Sequence, residues 1–168
     1  MRLQREIELP VSAARAFAEV CKLSLLEHIA WPLMKFEPRE PRTFPREWQA
    51  GRFRVGLKLF GFIPLGDQWI VISVENGSAS PILRDNGYSA MIPRWDHWIF
   101  IEPTGSKKCR YIDRVDIEAG LLTPFVWLFA KCFYAHRQRR WRALAEAGFA
   151  PLTILSLPVD DEFKPPSA

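Results

Sequence analysis

The sequence predicts an α+β fold in which a curved antiparallel sheet of about seven strands surrounds one long C-terminal helix. Three observations predict it. Strand-like alternation fills residues 51–118, where short connections favour antiparallel neighbours. Helical patterns occur only towards the two ends of the chain, which is typical of α+β proteins. The last helix is apolar over a broad face and needs a sheet to cover it. A chain of 168 residues is long enough for one such domain.

The chain begins with a strand and one or two short helices. Residues 2–9 alternate between apolar and polar side chains, and Pro10 ends this strand. Ser12 is a good N-cap for the helix that follows, and a second helical piece is expected at residues 25–30. Prolines then interrupt residues 31–48, so we predict a loop there.

The next strand is predicted to begin at Gly51. Its alternation places basic side chains on one face and, on the buried face, Phe53, Val55, Leu57 and Leu59. The apolar segment 61–66 has a glycine at each end, which permits a positive φ, and we predict a turn there. The chain then returns as a strand over residues 67–75.

Four more strands follow this return. Asn76-Gly77 and Asn86-Gly87 are strong hairpin-turn signals, and they predict a strand around residues 82–84 and another from Tyr88. The clearest hairpin joins residues 95–101 to 110–118. The charged residues mark the solvent face of each arm. The inward residues are then Trp95, His97, Ile99 and Ile101 in the first arm, and Tyr111, Asp113, Val115 and Ile117 in the second.

One long helix is predicted from Leu121 to Gly148. Thr123 suits the N-cap, Pro124 the first helical position and Gly148 the position just past the end. Its main apolar stripe holds Leu122, Val126, Phe129, Ala130, Phe133, Trp141 and Leu144. The opposite side is apolar only in the first half, which predicts that this half is covered on two sides.

The order of these elements resembles that of the START-like superfamily, also called SRPBCC or polyketide cyclase/lipid-transport-like. The resemblance runs from residue 3 to about 147 and includes "PVSAARAFAEV", "LFGFIPLGDQWIV" and "RYIDRVDIEAG" directly before the long helix. It implies a helix-grip fold with an elongated cavity between the sheet and the C-terminal helix. We therefore expect a single START-like domain at residues 1–150 and a partly disordered C-terminal extension at 151–168.

Composition excludes several other classes. A net charge of +4 with acids spread along the chain gives no sign of a nucleic-acid partner. Three cysteines without CxxC spacing, and an N-terminus interrupted by charges, predict a cytoplasmic protein. The apolar run 121–134 is too short to cross a bilayer. The three histidines lie on separate elements, so we expect no metal, and no cofactor motif is present.

His97, Tyr111 and Asp113 form the candidate catalytic group. A histidine held by a carboxylate can be oriented and charged for proton transfer. The alternative is that these side chains only hydrogen-bond locally and support the hairpin, and a structural role for Asp113 is what the resemblance implies. The alternation alone leaves both interpretations open.

Arg137 is the charged residue within the apolar stripe, and three interpretations remain open. It can bind a ligand carboxylate with two hydrogen bonds. It can instead neutralise Asp113, or extend its charged end to water. The pairing with Asp113 is our preferred expectation.

The resemblance implies that the cavity binds a small lipophilic molecule. The candidate ligand-binding residues are Phe53, Val55, Leu57, Trp95, Ile99, Val126, Phe129, Phe133 and Arg137. The alternative function is a polyketide cyclase or aromatase that uses His97 or Tyr111 to move protons. A third class is an interaction module that forms a homodimer.

Two surface features leave further alternatives open. The basic helix end around Arg139 and Arg140 favours interaction with the helix dipole and solvent over contact with RNA or anionic lipid. Segment 60–65 is a mobile apolar lid over the cavity mouth, a tip that transiently contacts a membrane, or a packed hairpin end.

Overall fold

Seven antiparallel strands form one sheet in the computed structural model, which describes residues 1–77 and 80–150. The elements in chain order are β1 (Arg2–Leu9), α1 (Ala13–Val20), α2 (Leu23–Ala30), β2 (Met34–Glu40), β3 (Gly51–Leu59), β4 (Ile63–Glu75), β5 (Ile82–Ser89), β6 (Arg94–Gly105), β7 (Lys108–Glu118) and α3 (Thr123–Glu146). The strands lie in the order β1-β7-β6-β5-β4-β3-β2. The predicted α+β fold, with a curved sheet around a long C-terminal helix, is confirmed.

Consecutive strands from β2 to β7 are neighbours, as their short connections require. The exception is β1, which pairs with β7 over its whole length, from Arg2 opposite Asp116 to Leu9 opposite Cys109. Ser12 caps α1 as predicted, because its hydroxyl accepts a hydrogen bond from the Arg15 amide. The start of the chain therefore folds as its local pattern indicates.

Segment 31–48 contains β2, so the prediction of a loop there was wrong. β2 pairs with β3 from Met34 opposite Leu59 to Pro38 opposite Val55, and the register shifts between Pro38 and Glu40. This strand is at the edge of the sheet. An edge strand has one unpaired side, where the missing N–H of a proline costs no hydrogen bond in the sheet.

The predicted turn at 61–66 is also shorter than expected. β4 already begins at Ile63, and the turn itself uses Phe60 and Gly61 at φ values of 53° and 81°. Farther along, Leu57 pairs with Gly66 whereas Lys58 pairs with Pro64. The register shift between these pairs is a bulge, which increases the local bend of the strand.

Asn86-Gly87 does not form the predicted hairpin turn, because both residues lie inside β5. Asn86 pairs with Asp96 and Gly87 with Trp95. A Cβ atom on Gly87 would lie 2.9 Å from the backbone oxygen of Trp69 on β4. The glycine is therefore needed for close approach of two strands rather than for a turn. Gly77 follows β4, and residues 78–79 of that connection lie outside the described residues.

The long helix begins and ends close to the predicted positions, but Thr123 is not its N-cap. A short 3₁₀ turn, Gly120–Leu122, precedes α3, and Leu122 occupies the capping position. The Thr123 hydroxyl instead accepts a hydrogen bond from the Ala119 amide at 2.9 Å and donates one to the Gly120 carbonyl at 2.7 Å. Gly148, at φ 62°, lies just past the C-cap as predicted.

The two halves of α3 have different surroundings. The second half is buried through Tyr134, Trp141, Leu144 and their neighbours. In the first half, Phe125 is 72% exposed and Leu128 is 56% exposed. The prediction that this half is covered on two sides was therefore wrong. Helical periodicity identified the apolar side chains there, but it could not show that no other element lies over them.

Two hydrophobic clusters fill the space inside the curve of the sheet. The larger contains Trp48, Val55, Ile99, Tyr111 and Trp141. The smaller lies against the middle of α3 and contains Val115, Ala130 and Phe133. No helix in the part of the chain that the structure describes is long and apolar enough to cross a membrane. The predicted C-terminal extension at 151–168 lies outside the described residues.

Candidate functional site

A cavity of about 420 Å³ lies between the concave face of the sheet and α3. Ligand sites in proteins typically have volumes of this order. Its wall is mostly apolar and is contributed by α2, by strands β2 to β6 and by α3. The polar side chains in the wall include Gln68, Asp85, Ser89, His97 and Arg137. The cavity thus combines a large apolar surface with a small polar group.

Seven of the nine candidate ligand-binding residues line this cavity: Leu57, Trp95, Ile99, Val126, Phe129, Phe133 and Arg137. Phe53 and Val55 do not. Val55 is fully buried in the larger core cluster. Phe53 packs edge-on against Trp48 at 5.2 Å between ring centroids. Strand alternation correctly gave the face of β3, but it could not show where that face meets solid core and where it meets the cavity.

The three candidate catalytic residues are in contact with one another. His97 Nε2 lies 2.8 Å from Asp113 Oδ1, and the Tyr111 hydroxyl donates to the same oxygen at 3.1 Å. Gln138 Nε2, on α3, donates to Asp113 Oδ2 at 2.8 Å and to the Arg5 carbonyl on β1 at 3.1 Å. Of the three candidates, only His97 lines the cavity. Tyr111 and Asp113 lie behind it.

Burial determines how the His97–Asp113 pair is charged. It lowers the pKa of His97, although the hydrogen bond to Asp113 acts in the opposite direction. Burial alone would raise the pKa of Asp113, but the hydrogen bonds from His97 and Gln138 and the charge of Arg137 hold it below its ordinary value. The carboxylate therefore accepts from an Nε2–H, and the Nδ1 lone pair of a neutral imidazole has no protein partner among the described residues.

Arg137 does not pair with Asp113, so our preferred expectation was wrong. Asp113 already forms hydrogen bonds with His97, Tyr111 and Gln138. The residue of α3 that reaches the Asp113 carboxylate is therefore Gln138, not Arg137. The guanidinium carbon of Arg137 lies over the Tyr134 ring, 4.9 Å from its centroid. Its Nε is buried and has no hydrogen-bond partner within residues 1–77 and 80–150.

Asp85 is a site residue that the sequence analysis missed. It lies on β5 directly opposite His97 on β6 and lines the cavity. Its Oδ1 accepts a hydrogen bond from the Val71 amide at 2.8 Å. Burial raises the pKa of Asp85 to about 7 despite that hydrogen bond and the charge of Arg137. Alternation along β5 could have placed Asp85 on the same inward face as Leu83 and Gly87. The turn predicted at Asn86-Gly87 ended the strand too early for this pattern to be recognised.

Exposed apolar side chains surround one end of the cavity. Leu65, Met91, Leu122 and Phe125 line it and are also exposed. In segment 60–65, the Phe62 side chain is 72% exposed. This segment therefore does not form a packed hairpin end. Leu122 lies 15 residues before Arg137 on the same helical face, which corresponds to about 22 Å along the axis. Arg137 is thus far from the open rim.

Metal ligands are not grouped in this site. Within the described ranges, no set of three or more histidine, cysteine, aspartate or glutamate side chains is arranged to hold a metal ion.

Comparison with known proteins identifies the family. A family model described as "Domain of unknown function (DUF8410)" matches residues 7–145, which is most of the chain. The chain belongs to the DUF8410 family. No curated protein matches it by sequence. The family model covers every strand except the start of β1 and almost all of α3.

Solved structures show which fold this DUF8410 domain has. A START superfamily protein from Mycobacterium smegmatis matches 87% of the chain and 97% of its own length, with a TM-score of 0.60 at 15% identity. Norcoclaurine synthase from Thalictrum flavum, in complex with dopamine and hydroxybenzaldehyde, matches 88% and 87%, with a TM-score of 0.61 at 11% identity. BexL, a di-domain ARO/CYC from the BE-7585A biosynthetic pathway, matches 90% of the chain and 48% of its own length, with a TM-score of 0.62 at 10% identity.

The START-like fold inferred from the sequence is therefore confirmed for this DUF8410 domain. Identities of 10–15% establish the fold alone.

Proposed function

We propose that this protein binds a small lipophilic molecule in the cavity between the sheet and α3. The observation that carries the proposal is the cavity of about 420 Å³, which has a largely apolar wall and a polar group at Asp85, His97 and Arg137. An apolar wall provides affinity through burial of ligand surface, and a few polar groups orient the ligand. The complex of the similar norcoclaurine synthase with two small aromatic molecules supports this use of the fold.

The test is to reduce the cavity volume and measure binding of Nile red, a neutral apolar dye. Val126 lies on α3 and lines the cavity, so Val126→Trp should reduce dye affinity at least tenfold. Val74→Trp is the matched control, because Val74 lies on β4, is 50% exposed and does not line the cavity. Wild type and Val74→Trp should bind the dye equally.

A mass spectrum of small molecules extracted from the purified protein identifies the natural ligand class. Equal dye binding by the Val126→Trp and Val74→Trp variants would show that the dye does not occupy this cavity. Absence of dye binding to the wild type, together with an empty extract, would contradict the proposal.

A second candidate function is proton-transfer catalysis of the cyclase or aromatase kind. One observation favours it: His97 lines the cavity and is held by Asp113 at 2.8 Å, an arrangement that can orient a general base. Tyr111 lies behind His97 and serves as a hydrogen-bond donor to Asp113. Conversion of an extracted ligand with a pH–rate limb that disappears in His97→Ala would establish this function. Binding of the ligand without its conversion would support the first function, lipophilic-ligand binding, alone.

A further inference from the structure

We propose that the ligand of this cavity carries a carboxylate group, and that Arg137 binds this group at the end of the cavity far from the exposed rim. The inference rests on the proposed function, because it names the chemical class of the molecule that the cavity holds. The evidence for a carboxylate is the geometry of Arg137 and of the groups that surround its guanidinium.

Arg137 is a buried cation that lacks an anionic partner in the protein. It is 7% exposed, lines the cavity and forms no ion pair with any described residue. A guanidinium group has five N–H donors. The contacts of its charged end in the protein are the faces of Tyr134 and Phe133, at 4.9 and 5.7 Å from the ring centroids. Aromatic faces stabilise the charge but accept no conventional hydrogen bond.

The nearby acids do not supply the missing acceptor. Both Asp113 oxygens already accept hydrogen bonds, from His97 and Tyr111 on one oxygen and from Gln138 on the other. Asp85 lines the same cavity but forms no ion pair with Arg137. An acceptor for the guanidinium donors must therefore come from the cavity. A carboxylate matches the planar guanidinium with two parallel hydrogen bonds.

Asp85 complements this arrangement. One of its oxygens accepts from the Val71 amide, and the other has no partner among the described residues. The charged and titratable groups around it are His97 and Asp96 on β6 and Tyr134 and Arg137 on α3. With a pKa of about 7, Asp85 can be neutral at physiological pH and donate an O–H to a ligand oxygen. A ligand carboxylate then meets donors from two sides without facing a second negative charge.

Two probes with the same apolar chain separate this inference from the proposed function. Dodecanoate carries a carboxylate, and methyl dodecanoate carries a neutral ester. Binding of each is measured by displacement of Nile red from the wild-type protein at pH 6.5. We expect both to bind, with dodecanoate at least about tenfold tighter, which is typical of a charge-assisted pair of hydrogen bonds.

Three variants assign that difference to one side chain. Arg137→Met retains the length and apolar contacts of the side chain, and it should abolish the preference, so that the acid and the ester displace the dye with similar affinity. Arg137→Lys keeps the charge without the planar fork, and it should retain part of the preference. Arg139→Met is the matched control, because Arg139 is exposed on the same helix and the change in net charge is identical. It should behave as wild type.

The outcomes are distinct. If neither probe binds to the wild type, the proposed function itself fails. If both bind equally, or if Arg137→Met retains the preference for the acid, the ligand-carboxylate inference is overturned and the cavity function stands. Circular dichroism melting accompanies each variant, and Arg137→Lys provides the comparison if Arg137→Met does not fold. An acid preference that disappears in Arg137→Met but persists in Arg139→Met supports the inference.

Discussion

At the scale of single residues, Asp85 is a carboxyl group whose placement opposes the stability of the fold. Its pKa is raised from 3.8 to about 7, mainly by burial. The folded domain therefore binds a proton that the unfolded chain releases above pH 3.8. Stability from this group is complete below pH 3.8 and is lost as the pH rises towards 7. Such a cost is typical of residues retained for function.

Asp85→Asn should consequently stabilise the domain at neutral pH. We expect the free energy of unfolding in urea to rise by about 1–3 kcal/mol at pH 7.5, with little change at pH 4, since each unit of pKa shift corresponds to about 1.4 kcal/mol and the cavity partly hydrates the group. Glu102→Gln is the control, because Glu102 forms an exposed ion pair with Arg110 at 3.4 Å. A variant that is destabilised equally at both pH values would show that Asp85 supports the fold rather than opposing it.

Individual site residues differed in how far the sequence could locate them. Helical periodicity placed Arg137 on the inward stripe, and strand alternation placed His97 and Asp113 on one face. Those are local properties of single elements. The α3 partner of Asp113 could not be found in the same way, because it depends on which residue of the helix reaches that carboxylate. That residue is Gln138, which follows Arg137 in the chain.

At the scale of elements, α3 borders the cavity from its first turn as far as Arg137 and packs against solid core beyond it. Phe129 is half-buried, stacks on Phe133 at 5.7 Å and lines the cavity. Leu144 is 2% exposed and packs in the larger core cluster. Loss of a core side chain creates a new void, whereas loss of a cavity-lining ring only enlarges an existing space.

Phe129→Ala should therefore destabilise the domain by only about 1–2 kcal/mol, and Leu144→Ala by about 2–5 kcal/mol, although phenylalanine is the larger residue. Denaturant unfolding of both variants measures the difference. Phe129→Ala should also weaken Nile red binding, which Leu144→Ala should not do. A loss of stability at Phe129 that equals or exceeds the loss at Leu144 would mean that the first half of α3 borders solid core.

The elements missed by the sequence analysis share one physical cause. The prolines of segment 31–48 are a local signal for a loop, and Asn86-Gly87 is a local signal for a turn. β2 forms nevertheless because it is an edge strand paired with β3, and β5 runs through Asn86-Gly87 because β4 and β6 flank it on both sides. Pairing between distant segments overrode local propensity in both cases. The hairpin of β6 and β7 and the end of α3 had no such conflict and were predicted correctly.

At the scale of the whole molecule, the positive charge is dispersed and partly neutralised. On the basic helix end, the Arg140 Nε donates to the His28 carbonyl at 2.8 Å and Arg142 pairs with Glu146 at 2.9 Å. Arg39 and Arg54 on β2 and β3 lie beside Asp67. A nucleic-acid site requires several cations directed together at phosphates.

We expect single-stranded RNA and duplex DNA to bind only weakly and without sequence preference at physiological salt, with a Kd above about 1 µM. Fluorescence anisotropy with labelled oligonucleotides over a range of salt concentrations measures this. Submicromolar binding that is lost in a variant carrying Arg139→Glu and Arg140→Glu would overturn the expectation.

The whole fold was more predictable than the use of its interior. The order of the elements and the alternation of apolar residues along the strands specify a sheet curved around a helix, because few other arrangements bury the apolar faces of both. The boundary between filled core and open cavity depends on side-chain volumes at contacts between β3, β5 and α3. These contacts join distant parts of the chain, so Val55 and Phe53 could not be distinguished from Leu57 before the structure was known.

The pairing of β1 with β7 implies an order of assembly. Strands β2 to β7 pair with their neighbours in sequence, so each of these hairpins can close over a short loop. Arg2 must find Asp116, and no ladder can form on β1 until β7 has been synthesised. Gln138 on α3 also needs the Arg5 carbonyl on β1. During synthesis, β1 therefore stays unpaired until β7 has been made. The cavity is complete only when the N-terminal elements pack against β7 and α3.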